Sequence, residues 1–344
     1  MLTLRDIAGH VGVSISTVSL VLNDRDEGRV NADTAARIRR TASELGYVPN
    51  QLARSLKKGQ THTIGLVSDR VATVPFSGHM LAGAQQAAWD EGYLLLLIDT
   101  AGNDELQRPA VRSLLQRNIE ALVFATTYHR LVDLPEVPRS VPVVVLDGRP
   151  SDPASRADFV VPDEAAGARA GVARLVAAGH RRIGFCTVPS YPVAARLRRQ
   201  GYEEALRAAG LPLDPTLVAA AEDANTRAAD APAARLLDRP DRPTAVFCFG
   251  DQIAMGFYQA ARARGLDVPR DLSVVGFDNQ EYVADALSPG LTTVQLPHGA
   301  MGAWAAHRAL RRITGEAADA PPEGHLMPCP LVERDSVAPP PDTR

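Results

Sequence analysis

The sequence predicts an α/β protein in two parts: an all-helical N-terminal helix-turn-helix headpiece, then a larger two-lobed body of doubly wound parallel sheets. Three observations predict it. Near the start, two short amphipathic stretches are split by a glycine. Beyond residue 60, apolar runs of strand length alternate with amphipathic helical stretches. That alternation occurs twice, opening on Ile64-Gly65-Leu66 and again on Ile183-Gly184-Phe185.

In the head, Thr3 can cap a first helix, with Asp6 at capping-box spacing and Leu4, Ile7, Ala8 and Val11 on one side. Gly12 stops it. Ser14 supplies a second N-cap, after which Val18, Val21 and Leu22 face inward. Ile15, Ser16, Thr17, Ser19 and Leu20 then lie on or near the outer side, where short hydroxyls and small apolar groups can enter a major groove. A helical pair that only packs is the plainer alternative. A third helix is expected over Asp33 to Leu45, with Ala35, Ile38, Ala42 and Leu45 inward and Arg37, Arg39 and Arg40 available to solvent or phosphate.

Thr3 to Lys58, with TVSLVLN from Thr17, RVNADTAARI from Arg29 and LGYVPNQLARSLKKG from Leu45, resembles the LacI/GalR family of bacterial transcriptional regulators. The resemblance implies a DNA-binding headpiece over 1–50 and a hinge helix and linker over 51–60, the hinge being Gln51 to Lys57 with Leu56 as the side chain inserted into the minor groove. A seven-residue hinge cannot hold itself helical, so partners must order it. The family pattern implies DNA contacts from Thr3, Ser14, Asn23, Arg29, Asn50, Leu52, Ala53, Arg54 and Lys57 besides the outer-face residues and Leu56. One position departs from it: Leu20 stands where many members carry arginine or histidine, and leucine cannot hydrogen-bond a guanine edge.

Charge supports a division of labour. The 344 residues carry a formal −3, yet residues 1–60 hold nine Lys/Arg against six Asp/Glu. A small basic head on an acidic body fits nucleic-acid binding at one end. No secretory pattern reads from the start, and the expected compartment is the cytoplasm. The run Leu94 to Ile98 has the length of a buried strand rather than a membrane span. Cys186, Cys248 and Cys329 have no metal-ligand spacing and are expected reduced and structural.

In the body, strands are expected at Thr63 to Ser68, Leu94 to Asp99, Ala121 to Ala125, Val141 to Leu146, Ile183 to Thr187, Ala245 to Phe249 and Ser273 to Phe277. Helices are expected at Gly78 to Glu91, Glu105 to Arg117, Ala165 to Ala178, Ala195 to Ala209, Ala229 to Leu237 and Gln252 to Arg264. Pro150 to Asp158 reads as a polar loop between the halves, and the crevice at the carboxyl edges of the two sheets is the place for a small ligand.

The resemblance extends over the body through DEAAGARAGVARLVAAGHRRIGF from Asp163, RRQGYEEALRAAG from Arg198, TAVFCFGDQIAMG from Thr244, DVPRDLSVVGFDN from Asp267, LTTV from Leu291 and LVERDS from Leu331. It implies a periplasmic-binding-protein-like effector and dimerisation domain over 61–338. One subdomain would take 61–160 and 292–322, the other 161–291 and 323–338, with 339–344 a disordered tail. Arg198 falls at the family position of an arginine that clamps the effector, and Asp278 at that of a carboxylate accepting from effector hydroxyls. On residues alone, a salt bridge for Arg198 and a helix cap for Asp278 stay open. Asp69, Phe76, Tyr128, Asp147, Arg149, Tyr191, Phe249 and Asp251 are further effector-site candidates. The chain departs from common family residues at Val74-Pro75-Phe76-Ser77, at Gly250 and at Glu164, where side-chain amides are lost, so no particular sugar is assigned.

An enzyme reading lacks its motifs: no GxGxxG follows the first strand, and there is neither a P-loop lysine nor a Gly-x-Ser-x-Gly elbow. His79 on an early helix, His129 in a loop, His180 in a helix-to-strand turn and His298 do not cluster. No catalytic residue, metal or cofactor is expected. The expected protein is a ligand-responsive, sequence-specific transcriptional regulator, a repressor by family habit, with a pseudo-palindromic double-stranded operator, a small-molecule effector such as a sugar, and a second copy of itself as partners, and no membrane. The alternatives are a soluble solute-binding protein without DNA function and a sequence-independent DNA binder.

Overall fold

The computed structural model describes residues 2–47, 60–72, 74, 77–318 and 320–341. The chain forms two compact units, Met1–Thr61 and His62–Arg344.

In the first unit, α1 (Leu4–Val11) opens on the complete capping box of Thr3 and Asp6 and stops at Gly12, whose φ of 74° is the left-handed conformation glycine adopts without strain. Helix α2 (Ile15–Val21) starts on the Ser14 cap, and α3 (Ala32–Glu44) starts from Asn31, whose side-chain oxygen accepts from Asp33 N. Ile7, Ala8, Val11, Val18, Val21, Ala35, Ile38 and Ala42 form one buried core. Leu22 and Leu45, expected inside, are half-buried at its rim.

The second unit holds two six-stranded sheets. The first comprises β1 (Thr63–Ser68), β2 (Leu94–Asp99), β3 (Ala121–Val132), β4 (Val143–Pro150), β5 (Asp158–Pro162) and β11 (Gly324–Met327) in the order β11-β5-β4-β3-β1-β2. Its pairs are all parallel. The second comprises β6 (Ile183–Thr187), β7 (Val218–Ala220), β8 (Ala245–Cys248), β9 (Ser273–Asp278), β10 (Thr292–Gln295) and β12 (Leu331–Val332) in the order β12-β10-β9-β8-β6-β7. It is parallel except for β12, which runs antiparallel to β10. Helices α4 (Gly78–Asp90), α5 (Gln107–Leu115) and α11 (His298–Ile313) pack on the first sheet. Helices α6 (Glu164–Ala177), α7 (Pro192–Ala208), α8 (Asp230–Leu237) and α9 (Asp251–Ala263) pack on the second. A short α10 (Glu281–Ala284) follows β9.

Several expectations are corrected. Strand β3 runs on past Ala125, through an irregularity before Arg130, so His129 is in a strand and not a loop. Asp158 begins strand β5, which leaves the polar loop at 151–157. Strand β2 is an edge strand rather than a buried one: Leu94 is 52% and Leu97 41% exposed, and among the described residues no strand pairs with its outer side. Strand β10 belongs to the second sheet and β11 to the first, opposite to the expected division at residues 292–322 and 323–338. The expected disorder from residue 339 does not hold for Pro339 to Pro341. Pro340 is half-buried against Gly179, and the Ala338 carbonyl lies 2.9 Å from His180 Nε2.

The sequence expectation for His180 holds: it is buried in the turn between α6 and β6, with Nδ1 2.9 Å from Thr244 Oγ1 and Nε2 2.9 Å from Ser273 Oγ. Cys186, Cys248 and Cys329 are free and buried.

Each lobe is sealed by two helices at a spacing only glycine permits. On α11, a Cβ at Gly302 would collide with the Met80 carbonyl of α4, and one at Gly83 with the Gly299 carbonyl. In the other lobe, a Cβ at Gly201 of α7 would collide with the Ala165 carbonyl of α6. The return of the chain to the first lobe is fixed by Asp158, which accepts from Arg312 Nε and Nη2 at 2.8 Å and from Arg308 Nη2 at 3.1 Å.

Gly302→Ala is expected to cost about 1–3 kcal/mol of body stability through forced separation of α4 and α11. Gly9→Ala, on α1 with nothing within 4 Å of its added methyl, is expected to be neutral or stabilising by up to about 1 kcal/mol. Urea unfolding followed in both variants checks the contrast, and equal effects would contradict the packing argument.

Candidate functional site

In the head, most of the outward hydroxyls are already engaged. Thr3 Oγ1 bonds Asp6 Oδ2 at 2.7 Å, Ser14 Oγ accepts from Thr17 N at 3.0 Å, and Ser14 Oγ and Thr17 Oγ1 bond each other at 2.8 Å. Asn23 Nδ2 turns back to the Ser19 carbonyl at 2.5 Å and to Ser19 Oγ at 3.3 Å. Within α2 that leaves Ser16, exposed and with no protein hydrogen bond among the described residues, beside Ile15 at 42% exposure and half-buried Leu20. The α3 arginines are exposed to solvent, as expected, although two of them also have protein partners. Arg37 Nη2 donates to the Val11 carbonyl at 2.6 Å, Arg39 Nη2 pairs with Asp26 at 2.8 Å, and Arg40 keeps an exposed side chain. Arg25 and Arg29 line one shallow concavity with Glu27. Asn50, Leu52, Ala53, Arg54, Leu56 and Lys57 lie outside the described residues, as does Phe76.

In the body, parallel strands direct their carboxyl ends to one edge, and the loops there carry the candidate effector residues. At the centre is Arg198 of α7, 2% exposed. Its guanidinium carbon lies 3.7 Å from the centroid of the Phe277 ring and 4.3 Å from that of Phe249, a double cation–π contact. Arg198 Nε donates to Glu164 Oε2 at 2.6 Å, Nη1 donates to the Phe249 carbonyl, and Asp278 Oδ1 stands 3.7 Å from Nη1. Nη2 has no protein hydrogen bond among the described residues. Burial alone would push the Arg198 pKa down; the Glu164 and Asp278 carboxylates more than restore it. Glu164, which sequence reasoning noted only for the amide it lacks, is therefore the buried counter-charge of Arg198. Its position on the first turn of α6, next to the Asp163 cap, was the available signal.

Asp278, with φ 112°, has its carboxyl pushed up to about 7 by burial, against the pull of Arg198 and of the 3.0 Å bond from Gln280 Nε2. Gly250 leaves room for it, since a Cβ there would stand 3.0 Å from Asp278 Oδ2. Asp147, with φ 60° and 4% exposure, is different: its carboxylate makes no hydrogen bond or ion pair to the protein among the described residues. Burial and the nearby Glu164 and Asp69 raise its pKa well above the usual carboxylate range. Tyr128, also at φ 60°, stacks on Tyr191 of the other lobe, ring centroids 3.9 Å apart, and Tyr191 lies 6.0 Å from Phe249. Non-glycine residues at positive φ are strained, and three of them meet here.

The remaining candidates are internally satisfied. Asp69 accepts from Arg130 Nη2 at 2.8 Å, Thr127 N at 3.1 Å and Arg70 N at 2.6 Å, which pins the irregular part of β3 that carries Tyr128. Asp251, fully buried, accepts from Thr293 Oγ1 at 2.6 Å and Gln280 N at 2.7 Å and so holds the turn after β9. Arg149 Nε donates to His129 Nε2 at 3.1 Å, which requires neutral His129. Burial and the neighbouring arginines hold its pKa down to about 3. His129 was missed by sequence reasoning, being masked by the expected loop.

Two family models match the chain: bacterial regulatory proteins of the lacI family over residues 3–50, and the periplasmic binding protein-like domain over residues 172–337. The ribose operon repressor of Escherichia coli (strain K12) is 34% identical over 316 residues, 91% of this chain and 94% of that one. The chain belongs to the lacI family of bacterial regulatory proteins. Among solved structures, the lac repressor dimer bound to operator and the anti-inducer ONPF superposes with a TM-score of 0.80 at 26% identity, covering 98% of this chain and 99% of that one. The complex of the transcriptional regulator CelR with cellobiose gives 0.68 at 31% identity, covering 98% and 100%. These relatives of the regulator are repressors and transcriptional regulators, not enzymes. No described helix is long and apolar enough to cross a membrane.

A carboxyl whose pKa is higher folded than unfolded binds its proton more tightly in the folded state, so its contribution to stability falls as pH rises from about 4 to about 7. Asp278→Asn is accordingly expected to raise the body's melting temperature, relative to wild type, more at pH 7.5 than at pH 5. An equal shift at both pH values would show that Asp278 is ionised throughout.

Proposed function

We propose that this lacI-family protein is a cytoplasmic, operator-binding repressor whose DNA affinity is set by a small hydroxyl-bearing effector, a sugar or sugar derivative, held between the two lobes of its body. The head, 1–50, reads a pseudo-palindromic operator as one half of a dimer, the segment 51–60 serves as hinge, and the body from 61 carries the effector site. The observation that carries this reading is Asp147: a buried carboxylate without a protein partner among the described residues, in the same crevice as an arginine whose outer edge is unoccupied. A donor edge and an acceptor carboxylate together match the paired donors and acceptors of a polyol. Asp278, Tyr128, Tyr191 and Phe249 complete the lining, and Asp69, Asp251 and Arg149 support it from behind. Leu97 of the edge strand β2, on the α4 side of the sheet, and Trp89 of α4, 67% exposed, offer apolar surface to a second copy. The solved dimer of the lac repressor supports that occupant.

A solute-binding protein without DNA function is disfavoured by the match over residues 3–50. A sequence-independent DNA binder would show no preference for an operator over random duplex.

The structure also selects the variant that tests the effector site. Arg198→Ala would strand Glu164 as a buried unpaired charge and endanger folding. Asp147→Asn breaks no protein hydrogen bond of its carboxylate and suits the left-handed backbone. With an effector found by thermal-shift screening of sugars and sugar phosphates, calorimetric titration of Asp147→Asn is expected to show at least about tenfold weaker effector binding, roughly 1.4 kcal/mol. Effector-free operator affinity should stay close to wild type. In the wild type, operator must change effector affinity by the same factor by which effector changes operator affinity. Full effector affinity in Asp147→Asn would overturn the site, and effector binding indifferent to operator would overturn the switch.

A further inference from the structure

Helix α2 carries no group able to make the paired hydrogen bonds by which side chains single out guanine or adenine. Between Gly12 and Asp24 there is no charged residue, no histidine and no glutamine. The one amide, Asn23, directs its donor back to Ser19. Arginine and lysine read guanine O6 and N7, and asparagine and glutamine read adenine N6 and N7; neither chemistry is on offer. The hydroxyls of Ser14 and Thr17 are bonded to each other, and Ser14 also caps the helix. Val18 and Val21 are fully buried in the head's core.

What remains on the outward side is apolar, plus one hydroxyl. Ile15 is 42% exposed at the first turn. Ser16 and Leu20 are four residues apart and so share one face of the helix. In the major groove the one base feature that such side chains recognise is the thymine C5-methyl group, and a hydroxyl accepts or donates to any edge without choosing. From this composition we infer that the regulator reads its operator by thymine methyl groups, with Ile15 and Leu20 as the contacting residues. Orientation on the duplex comes from phosphate contacts of exposed cations such as Arg29 and Arg40, which carry no sequence information. This inference rests on the operator-binding reading above, which can fail separately.

The test uses the full chain and duplex DNA. Preferred sites are selected from a random duplex library at fixed salt, and each thymine of the selected half-site is then replaced by deoxyuridine, which differs only by the missing methyl. At one or two thymines per half-site, the replacement is expected to weaken binding by about fourfold per half-site, the worth of one buried methyl. Replacement of thymines outside the footprint of α2 should have no effect. In Ile15→Ala or Leu20→Ala the sensitivity to deoxyuridine at the matching position should vanish; the exposed Ile15 makes its variant independent of folding. Selected sites that tolerate deoxyuridine everywhere, or a sensitivity that survives both variants, would overturn thymine reading by α2 while leaving operator binding intact. Failure to enrich any sequence would overturn operator binding itself.

Discussion

The buried guanidinium of Arg198 is the interaction on which the body's functional edge depends. It lies between the rings of Phe249 and Phe277, which end two neighbouring strands, and is bonded to Glu164 on α6 and to the Phe249 carbonyl. One side chain therefore ties two helices and two strand ends together. A charge removed from water to this degree is stable only when its counter-charges are equally fixed, and Glu164 at 2% side-chain exposure fulfils that condition. The consequence is a local excess of carboxylate: Asp278 and Asp147 stand near the same cation without full satisfaction, and burial raises the pKa of both. A ligand rich in hydroxyl donors relieves that excess.

The two lobes meet at this edge because of how they are built. Each is closed by a helix pair at glycine-to-carbonyl distance, α4 with α11 and α6 with α7, so each behaves as a packed block. The chain passes between the blocks near Pro162, Leu296 and Pro330, all beside the crevice. Tyr128 and Tyr191 are the aromatic contact across it. In the head, the same economy of polar groups holds. Caps and helix-end bonds consume the hydroxyls of Thr3, Ser14 and Thr17, and the reading face is left with Ile15, Ser16 and Leu20.

Much of this was legible in the sequence where local chemistry decides the outcome. The capping box of Thr3 and Asp6, the Ser14 cap, the helix stop at Gly12 and the repeated strand-helix alternation are all short-range patterns, and they appear as read. Arg198 and Asp278 also came together. What could not be read depended on partners distant in sequence. Strand β2 has a fully apolar run, yet its exposure follows from being at the sheet edge, which periodicity does not reveal. The exchange of β10 and β11 between lobes is a matter of topology. Asp69 and Asp251 looked like ligand groups because a carboxylate at a strand end has the same signature whether it faces a ligand or a neighbouring turn. Only the bonds from Arg130, Thr127, Thr293 and Gln280 distinguish the two.

The central claim is that the carboxylate excess around Arg198 is the effector site. The most direct measurement is a crystal structure of the regulator with a ligand that raises its melting temperature. The account predicts ligand hydroxyls within hydrogen-bonding distance, about 3 Å, of the Asp147 and Asp278 carboxylates and of Arg198 Nη2, with the Arg198 to Glu164 bond intact and the Tyr128 and Tyr191 rings parted. A ligand bound elsewhere on the body, with Asp147 still without a partner and the two tyrosines still stacked, would contradict it.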